Sequence, residues 1–116
     1  MNRQRAERAG RKAERIAAWW LQLKGWHIVA RRARTPVGEV DLVARRGRTL
    51  AFVEVKARGS EGQAALALDE WRLRRVAAAA EALAARHARP GDILRVDAVF
   101  IVPRRLPKHV ADVWHG

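Results

Sequence analysis

Two apolar runs that carry acidic residues in their interior constrain the fold of this chain more than any other feature. They lie in the stretch VGEVDLVARRGRTLAFVEVKARG at residues 37–59, where Glu39, Asp41 and Glu54 stand among Val, Leu and Phe. A strand with one solvated face puts its charges on that face, whereas a buried acid needs a positive partner. The RRGR segment between the runs is typical of a tight turn, so the runs are predicted to pair as antiparallel strands.

Side-chain alternation predicts which way these acids point. It sends Glu39 and Asp41 to one face of the first strand, and Glu54 and Lys56 to one face of the second. Pairing through a turn near Gly47 then brings Asp41 and Glu54 to the same side of the sheet. Two carboxylates and one ammonium leave a negative charge that a divalent cation would balance.

The available ligands suit Mg²⁺ or Mn²⁺. The sequence contains no cysteine, so carboxylate, imidazole, backbone or water must hold any metal. Mg²⁺ commonly uses one or two protein carboxylates with water and substrate phosphate, and it activates a bound water for hydrolysis. The alternative is structural: Glu54 and Lys56 form an ordinary ion pair, and Asp41 pairs with an arginine. The D-x12-E-x-K spacing on adjacent apolar strands favours the metal site.

Periodicity predicts the other elements and their order. The predicted elements are a helix at Arg3–Lys24, strands at Trp26–Arg32, Glu39–Ala44 and Leu50–Ala57, a helix from about Asp69, its N-cap, to Ala88, and a strand at Ile93–Val102. In the first helix Glu14 falls at the border of the apolar face, where it can reach an edge of the surface on which the helix packs. A helical turn is predicted around residues 109–114.

This order of elements predicts a single α/β domain over residues 1–116. Residues 1–12 form the basic start of the first helix, and residues 103–116 form a C-terminal tail.

The net charge restricts the partners. Lys and Arg outnumber Asp and Glu by 24 to 12, and the formal charge of +12 predicts binding to polyanions, nucleic acid before an anionic membrane surface. No apolar run reaches the eighteen or so residues that a membrane-spanning helix needs. The basic N-terminus is not followed by the apolar segment of a secretory signal, so a cytoplasmic location is expected.

The arginines concentrate in runs that flank the predicted strands or open the second helix. Nothing in these runs reads base sequence, so structure-selective or nonspecific binding is expected. The predicted phosphate contacts are Arg31, Arg32, Arg34, Arg45, Arg46, Arg48, Arg58, Arg72, Arg74 and Arg75.

Five tryptophans and four histidines complete the candidate residues. Trp20 and Trp26 lie on apolar faces and are predicted to fill the core. Trp19, Trp71 and Trp114 stay open between packing and stacking on unpaired bases, and Trp114, near the chain's end, can equally close a dimer contact. The histidines show no metal-ligand spacing and are interpreted as surface or turn residues: His27, His87, His109 and His115.

The segment AERIAAWWLQLKGWHIVARRARTPVGEVDLVARRGRTLAFVEVKAR resembles the YraN family of small bacterial proteins. The shared features are a Glu in the first helix, a G-E-[IV]-D-L strand, an F-V-E-V-K strand and a final strand with R-F-D, here RVD at residues 95–97. The family is similar in turn to the restriction-endonuclease-like PD-(D/E)xK nucleases, particularly the archaeal Holliday-junction resolvases. The resemblance implies their core, a mixed central sheet flanked by helices.

The resemblance also implies roles for individual residues. It assigns catalysis to Glu14, Asp41, Glu54 and Lys56, with the three acids as metal ligands. Gln63 is a further polar contributor to the site. Glu39 is either an outer acid of the site or the partner of Arg58 on the neighbouring strand, and we favour the pairing. Val96 replaces the aromatic of R-F-D, which affects packing more than chemistry.

Together these features predict a Mg²⁺-dependent endonuclease-like protein that binds nucleic acid, DNA rather than RNA, and hydrolyses phosphodiesters, with branched DNA as a suitable substrate. The alternative is a noncatalytic nucleic-acid-binding module of the same fold. A small basic RNA-associated protein of the ribosomal kind would explain the charge but not the acids in the strands. Junction cleavage would suit a homodimer with two sites.

Overall fold

A computed structural model describes residues 3–58 and 70–114 of the chain, with side chains described from residue 10 onward. The predicted N-cap Asp69 and the predicted site residue Gln63 lie outside the described residues. The elements in chain order are α1 (Arg3–Leu23), β1 (His27–Thr35), β2 (Gly38–Arg46), β3 (Thr49–Ala57), α2 (Glu70–His87), β4 (Ile93–Ile101) and β5 (Lys108–Val110).

The strands form one mixed sheet in the order β1-β2-β3-β4-β5. The first three strands pair antiparallel, β3 and β4 pair parallel, and β5 returns antiparallel to β4. Gly47, at φ 60°, lies in the two-residue turn between the paired residues Arg46 and Thr49, which matches a primed hairpin turn. A parallel pair needs a long crossover, and the chain between β3 and β4 contains α2. The predicted α/β class is confirmed.

The two described helices pack on opposite faces of the sheet. The core on the α1 side includes Ala17, Leu21, Trp26, Leu42, Val53 and Val99. The core on the α2 side includes Val43, Leu50, Phe52, Leu73, Val76 and Leu83. The odd residues of β2 from Asp41 and the even residues of β3 therefore face α2, and this face carries the acids of interest. Neither described helix is long and apolar enough to cross a membrane.

The helical turn predicted around residues 109–114 is wrong. Residues Lys108–Val110 form β5, and His109 lies opposite Val99 of β4. Pairing with the edge of β4 satisfies backbone groups that a lone helical turn would leave unpaired. The interpretation of His109 as a surface or turn residue is wrong for the same reason, since its side chain is largely buried on this strand.

Of the two tryptophans predicted to fill the core, one does so. Trp26 is buried in the core on the α1 side, as predicted. Trp20 is only half-buried, and the Lys24 ammonium lies 4.7 Å from the centroid of its ring, so its assignment to the core is wrong. Trp19 and Trp71 are exposed.

Candidate functional site

Asp41 and Glu54 line one open cavity on the α2 face of the sheet. The cavity has a volume of about 310 Å³ and is lined by Glu39, Asp41, Glu54, Trp71, Arg72, Arg75 and Val76. The acids come from β2 and β3, and the basic and aromatic side chains come from the first two turns of α2. The convergence of Asp41 and Glu54 follows from the alternation seen in the sequence.

The position of Asp41 is set by the end of the β2–β3 pairing. The backbone pairing of β2 with β3 ends at the pair Leu42 and Val53. Just beyond it the Asp41 Oδ2 accepts a hydrogen bond of 2.7 Å from the backbone N–H of Val55. The carboxylate thus takes the place of a main-chain acceptor where the strands separate, and this bond holds it beside Glu54.

Gly38 brings α2 close to the acids. A side chain at this position would place its Cβ 2.9 Å from the backbone carbonyl oxygen of Arg75, closer than real Cβ atoms approach. A glycine at the start of β2 therefore allows α2 to lie against this strand. In the G-E-V-D motif this glycine stands directly before Glu39 and three residues before Asp41.

Glu54 and Lys56 form a buried ion pair. The Lys56 Nζ lies 2.6 Å from Glu54 Oε1, and both side chains are buried. The Arg72 Nε lies 3.8 Å from the same oxygen, at the exposed side of the cavity. This is the ion pair that the structural alternative predicts. The other half of that alternative does not hold, because Asp41 forms no salt bridge with any of the described side chains.

Burial, and next the negative charge of Glu54, together raise the pKa of Asp41 to about 7. The Val55 N–H and the more distant Lys56 oppose this increase but do not cancel it. Asp41 is therefore a partly buried acid with no salt-bridge partner among the described side chains, and the positive charge of Lys56 does not offset its burial and its repulsion from Glu54. A cation between Asp41 and Glu54 would supply that charge.

Asp41 and Glu54 fit the ligand set of a magnesium or manganese ion. Mg²⁺ is commonly held by one or two carboxylates, with water completing the coordination. Among the side chains described in residues 10–58 and 70–114, no group of three His, Asp or Glu is arranged to hold a metal ion. The site therefore offers two protein carboxylates, and substrate and water would supply the remaining ligands.

Glu14 does not line this cavity. Its Oε1 accepts a 2.7 Å hydrogen bond from the Arg32 Nε, and both residues line a separate pocket of about 180 Å³ beside α1. Its negative charge still contributes to the raised pKa of Asp41, so the two acids are electrostatic neighbours. For Glu14 to bind a metal with Asp41, it would have to exchange its pairing with Arg32.

The predicted pairing of Glu39 with Arg58 is wrong. Glu39 lies opposite Arg34 in the β1–β2 register, and its Oε2 is 3.3 Å from the Arg34 Nε. The Arg58 guanidinium instead donates to the neighbouring carbonyl of Ala57. Glu39 is therefore an exposed acid at the edge of the cavity, paired across the outer hairpin.

The predicted phosphate contacts fall into several surroundings. Arg72 and Arg75 line the cavity, whereas Arg31 and Arg32 line the pocket of Glu14. Arg45 is largely buried and makes two hydrogen bonds to Asp92, so it joins β2 to the segment after α2. The others are exposed on the surface: Arg34, Arg46, Arg48, Arg58 and Arg74. Of these, Arg46 lies over the Trp26 ring and Arg74 pairs with Glu70.

A buried polar network around Asp97 was not predicted. Asp97 is fully buried. Its carboxylate accepts two hydrogen bonds of 2.8 Å from Arg95 and one of 3.0 Å from the Asp112 N–H, and its Oδ2 lies 2.7 Å from His109 Nε2. Burial alone would raise the pKa of Asp97, but the hydrogen bonds from His109 and Arg95 lower it to about 2. The RVD motif marked these residues, yet their partners come from β5 and the segment after it, which the sequence did not resolve.

Comparisons with known proteins agree with the sequence resemblance. The family model described as uncharacterised protein family UPF0102 matches residues 13–101. A UPF0102 protein of Sphingopyxis alaskensis is 62% identical over 114 residues, which cover 98% of each chain. Another from Rhizorhabdus wittichii is 60% identical over 117 residues, covering 100% of this chain and 99% of its own. One from Caulobacter vibrioides is 45% identical over 112 residues, which cover 96% of this chain and 90% of its own.

Proposed function

This chain belongs to the UPF0102 family, also called YraN, and from that premise we propose that it binds nucleic acid and hydrolyses DNA phosphodiesters with the help of Mg²⁺ or Mn²⁺. One observation carries the proposal. Asp41 is partly buried beside Glu54 without a salt-bridge partner among the described side chains, and it lines a cavity bordered by Arg72 and Arg75. Acids that need a cation, next to arginines that can bind phosphate, match the requirements of phosphodiester hydrolysis.

The surrounding fold supports the proposal. A mixed sheet with helices on both faces, in the order helix, three strands, helix and strand, agrees with a restriction-endonuclease-like core in one domain. In that reading β5 is an addition at the sheet edge. The likeness to junction resolvases favours DNA over RNA as the substrate, and a homodimer would present two sites to a branched molecule.

The residues of the cavity divide the work of the reaction. Asp41 and Glu54 would hold the metal ion, which when bound would lower the pKa of a water and offset charge on the phosphate. Arg72 and Arg75 bind phosphate oxygens at the mouth of the cavity. Lys56, held by Glu54 at 2.6 Å, would orient the attacking water or stabilise negative charge on the phosphate.

A second candidate function is a noncatalytic nucleic-acid-binding module of the same fold. The pairing of Glu14 with Arg32 favours it, because the cavity then retains only two carboxylates from the three acids that the resemblance assigns to the metal. Such a module would keep the arginine-lined surface and bind DNA without cleaving it. The two functions agree on binding and differ on turnover.

The deciding experiment measures cleavage of labelled single-stranded, duplex and branched DNA by the purified chain. We expect cleavage in Mg²⁺ or Mn²⁺ and none in excess chelator, with calorimetry detecting binding of the metal to the protein or to its DNA complex. DNA binding without cleavage under any of these conditions would support the noncatalytic module. Absence of DNA binding would contradict both functions.

DNA binding should weaken steeply with salt. If about six arginines contact phosphates, affinity should fall by roughly three orders of magnitude between 50 and 200 mM salt. Anisotropy titrations over this range measure the slope of log Kd against log salt concentration. Replacing both Arg72 and Arg75 by glutamine should reduce that slope by about two.

Arg86→Gln provides the matched control for charge. Arg86 is exposed in the last turn of α2, about 21 Å along the helix from Arg72. The Arg86→Gln substitution should leave the slope of log Kd against log salt concentration nearly unchanged. A reduction of about one in Arg86→Gln, which removes half the charge that the double variant removes, would show that the charge acts over the whole surface and not at the cavity.

A further inference from the structure

Trp71 lines the cavity, and neither a metal ion nor a phosphate explains its position there. It is the second residue of α2, its side chain lines the cavity with Asp41 and Glu54, and it is 63% exposed. A tryptophan normally buries most of its ring, because exposing apolar surface to water is unfavourable. Its position therefore indicates a ligand with an apolar face.

The ring is supported on its own helix. The guanidinium of Arg75, one turn further along α2, lies 5.1 Å from the centroid of the Trp71 ring. This contact orients the indole at the mouth of the cavity and keeps a positive charge beside it. Arg75 also lines the cavity, so the aromatic surface and the charge border the same space as the two acids.

These chemical groups match an unpaired nucleotide. Its base offers a flat aromatic face to the indole, while its phosphate carries the charge that Arg72 and Arg75 attract. A base inside a duplex has both faces covered by its neighbours and cannot stack on Trp71 without leaving the helix. A ligand that uses Trp71 must therefore present at least one unpaired base beside the phosphate held at the cavity.

We infer that Trp71, supported by Arg75, stacks on an unpaired base and makes this site selective for nucleic acid with single-stranded character over fully paired duplex. The inference rests on the proposed function, since it names the substrate class of the same cavity. It makes Trp71 a specificity-determining residue, and it does not require that the chain cleave its ligand.

The test compares two fluorescein-labelled DNA molecules of equal length, one single-stranded and one fully paired. Anisotropy in chelator gives Kd for each without cleavage, for wild type, Trp71→Ala, Trp71→Phe and Trp19→Ala. Wild type should bind the single strand more tightly. Trp71→Ala should weaken single-strand binding about tenfold or more and change duplex binding less than about twofold, while Trp71→Phe should keep most of the preference.

Trp19→Ala is the matched control. Trp19 is 54% exposed on α1, which packs on the other face of the sheet. It should leave both Kd values unchanged, which separates stacking at the cavity from the general loss of an exposed tryptophan. Both tryptophans are exposed, so both variants should keep the wild-type melting temperature.

Four results would overturn the inference. Equal wild-type affinity for both DNA molecules, or equal weakening of both by Trp71→Ala, would remove the selectivity while leaving the proposed function in place. A change in molecular mass in Trp71→Ala, with both Kd values unchanged, would make Trp71 a contact between two copies of the chain. Failure of wild type to bind either DNA would overturn the proposed function as well.

Discussion

Asp41→Asn should reduce metal-dependent DNA cleavage by about a thousandfold or more while leaving DNA affinity in chelator nearly unchanged. The amide keeps an oxygen that can accept the Val55 N–H, so the local fold survives. It removes the negative charge that would bind the metal. Loss of one electrostatic contact commonly costs about a hundredfold to a thousandfold in rate, and here the metal would be lost with it. Cleavage rates under single-turnover conditions, with Kd measured on the same samples, check the prediction.

The same substitution should stabilise the protein in the absence of metal. The pKa of Asp41 is raised from 3.8 to about 7 on folding, so the folded state binds its proton more tightly than the unfolded state does. Metal-free wild type should therefore lose stability as the pH rises from about 4 to about 7 and then level off. Asp41→Asn should lack this loss and be more stable at pH 8 by up to about 4 kcal/mol.

Urea unfolding at pH 5 and pH 8, in chelator and in Mg²⁺, measures both effects. Mg²⁺ should stabilise wild type at pH 8 and have no effect on Asp41→Asn. Glu70→Gln removes an exposed carboxylate from the first turn of α2 and serves as the control for charge. An Asp41→Asn variant that cleaves DNA like wild type would eliminate Asp41 as a metal ligand and with it the proposed mechanism.

Glu54→Gln should also stop cleavage, but its effect on stability has the opposite sign. Glu54 is the buried partner of Lys56, so its replacement leaves a buried ammonium without its carboxylate. Loss of activity in this variant alone would not separate chemistry from unfolding. Asp41→Asn does separate them, since Asp41 has no salt bridge to lose among the described residues.

Features set by the local chain were predictable from the sequence. The turn at Gly47 and the alternation of β2 and β3 place Asp41 and Glu54 on one face, because both follow from neighbouring residues. Glu14 also falls at the border of its helix face. The sequence did not show that this border lies on the α1 side of the sheet. There Glu14 pairs with Arg32 and does not join the acids of the other face.

Features set by partners distant in the chain were not predictable. The favoured partner of Glu39 was Arg58, the residue that follows β3, but the β1–β2 register brings Arg34 opposite it, and a register is decided by the whole hairpin. The hydrogen-bond network around Asp97 was not predicted for a related reason. Its partner His109 lies on a strand of three residues, too short to show alternation.

Asp97→Asn should destabilise the protein by about 3–5 kcal/mol, the cost of removing one partner from a buried ion pair. The carboxylate is fully buried, and an amide cannot pair with both the Arg95 guanidinium and His109 while accepting the Asp112 N–H. Asp97 lies opposite Val53 of the core on the α1 side, away from the cavity. DNA binding by the folded fraction should therefore stay normal, and urea unfolding at pH 7 measures the loss.

Asp97 and Asp41 make each other's control, because the same Asp→Asn change should have opposite effects on stability. The pKa of Asp97 is lowered from 3.8 to about 2, so its contribution is present above about pH 4 and is lost as the pH falls through about 2. Wild type should lose stability over this acid range, and Asp97→Asn should lose less. Destabilisation by both substitutions at pH 8 would show that Asp41 has its own compensating charge, and the reason for a metal at the cavity would disappear. Opposite signs would separate a carboxylate that completes the fold from one that awaits a cation.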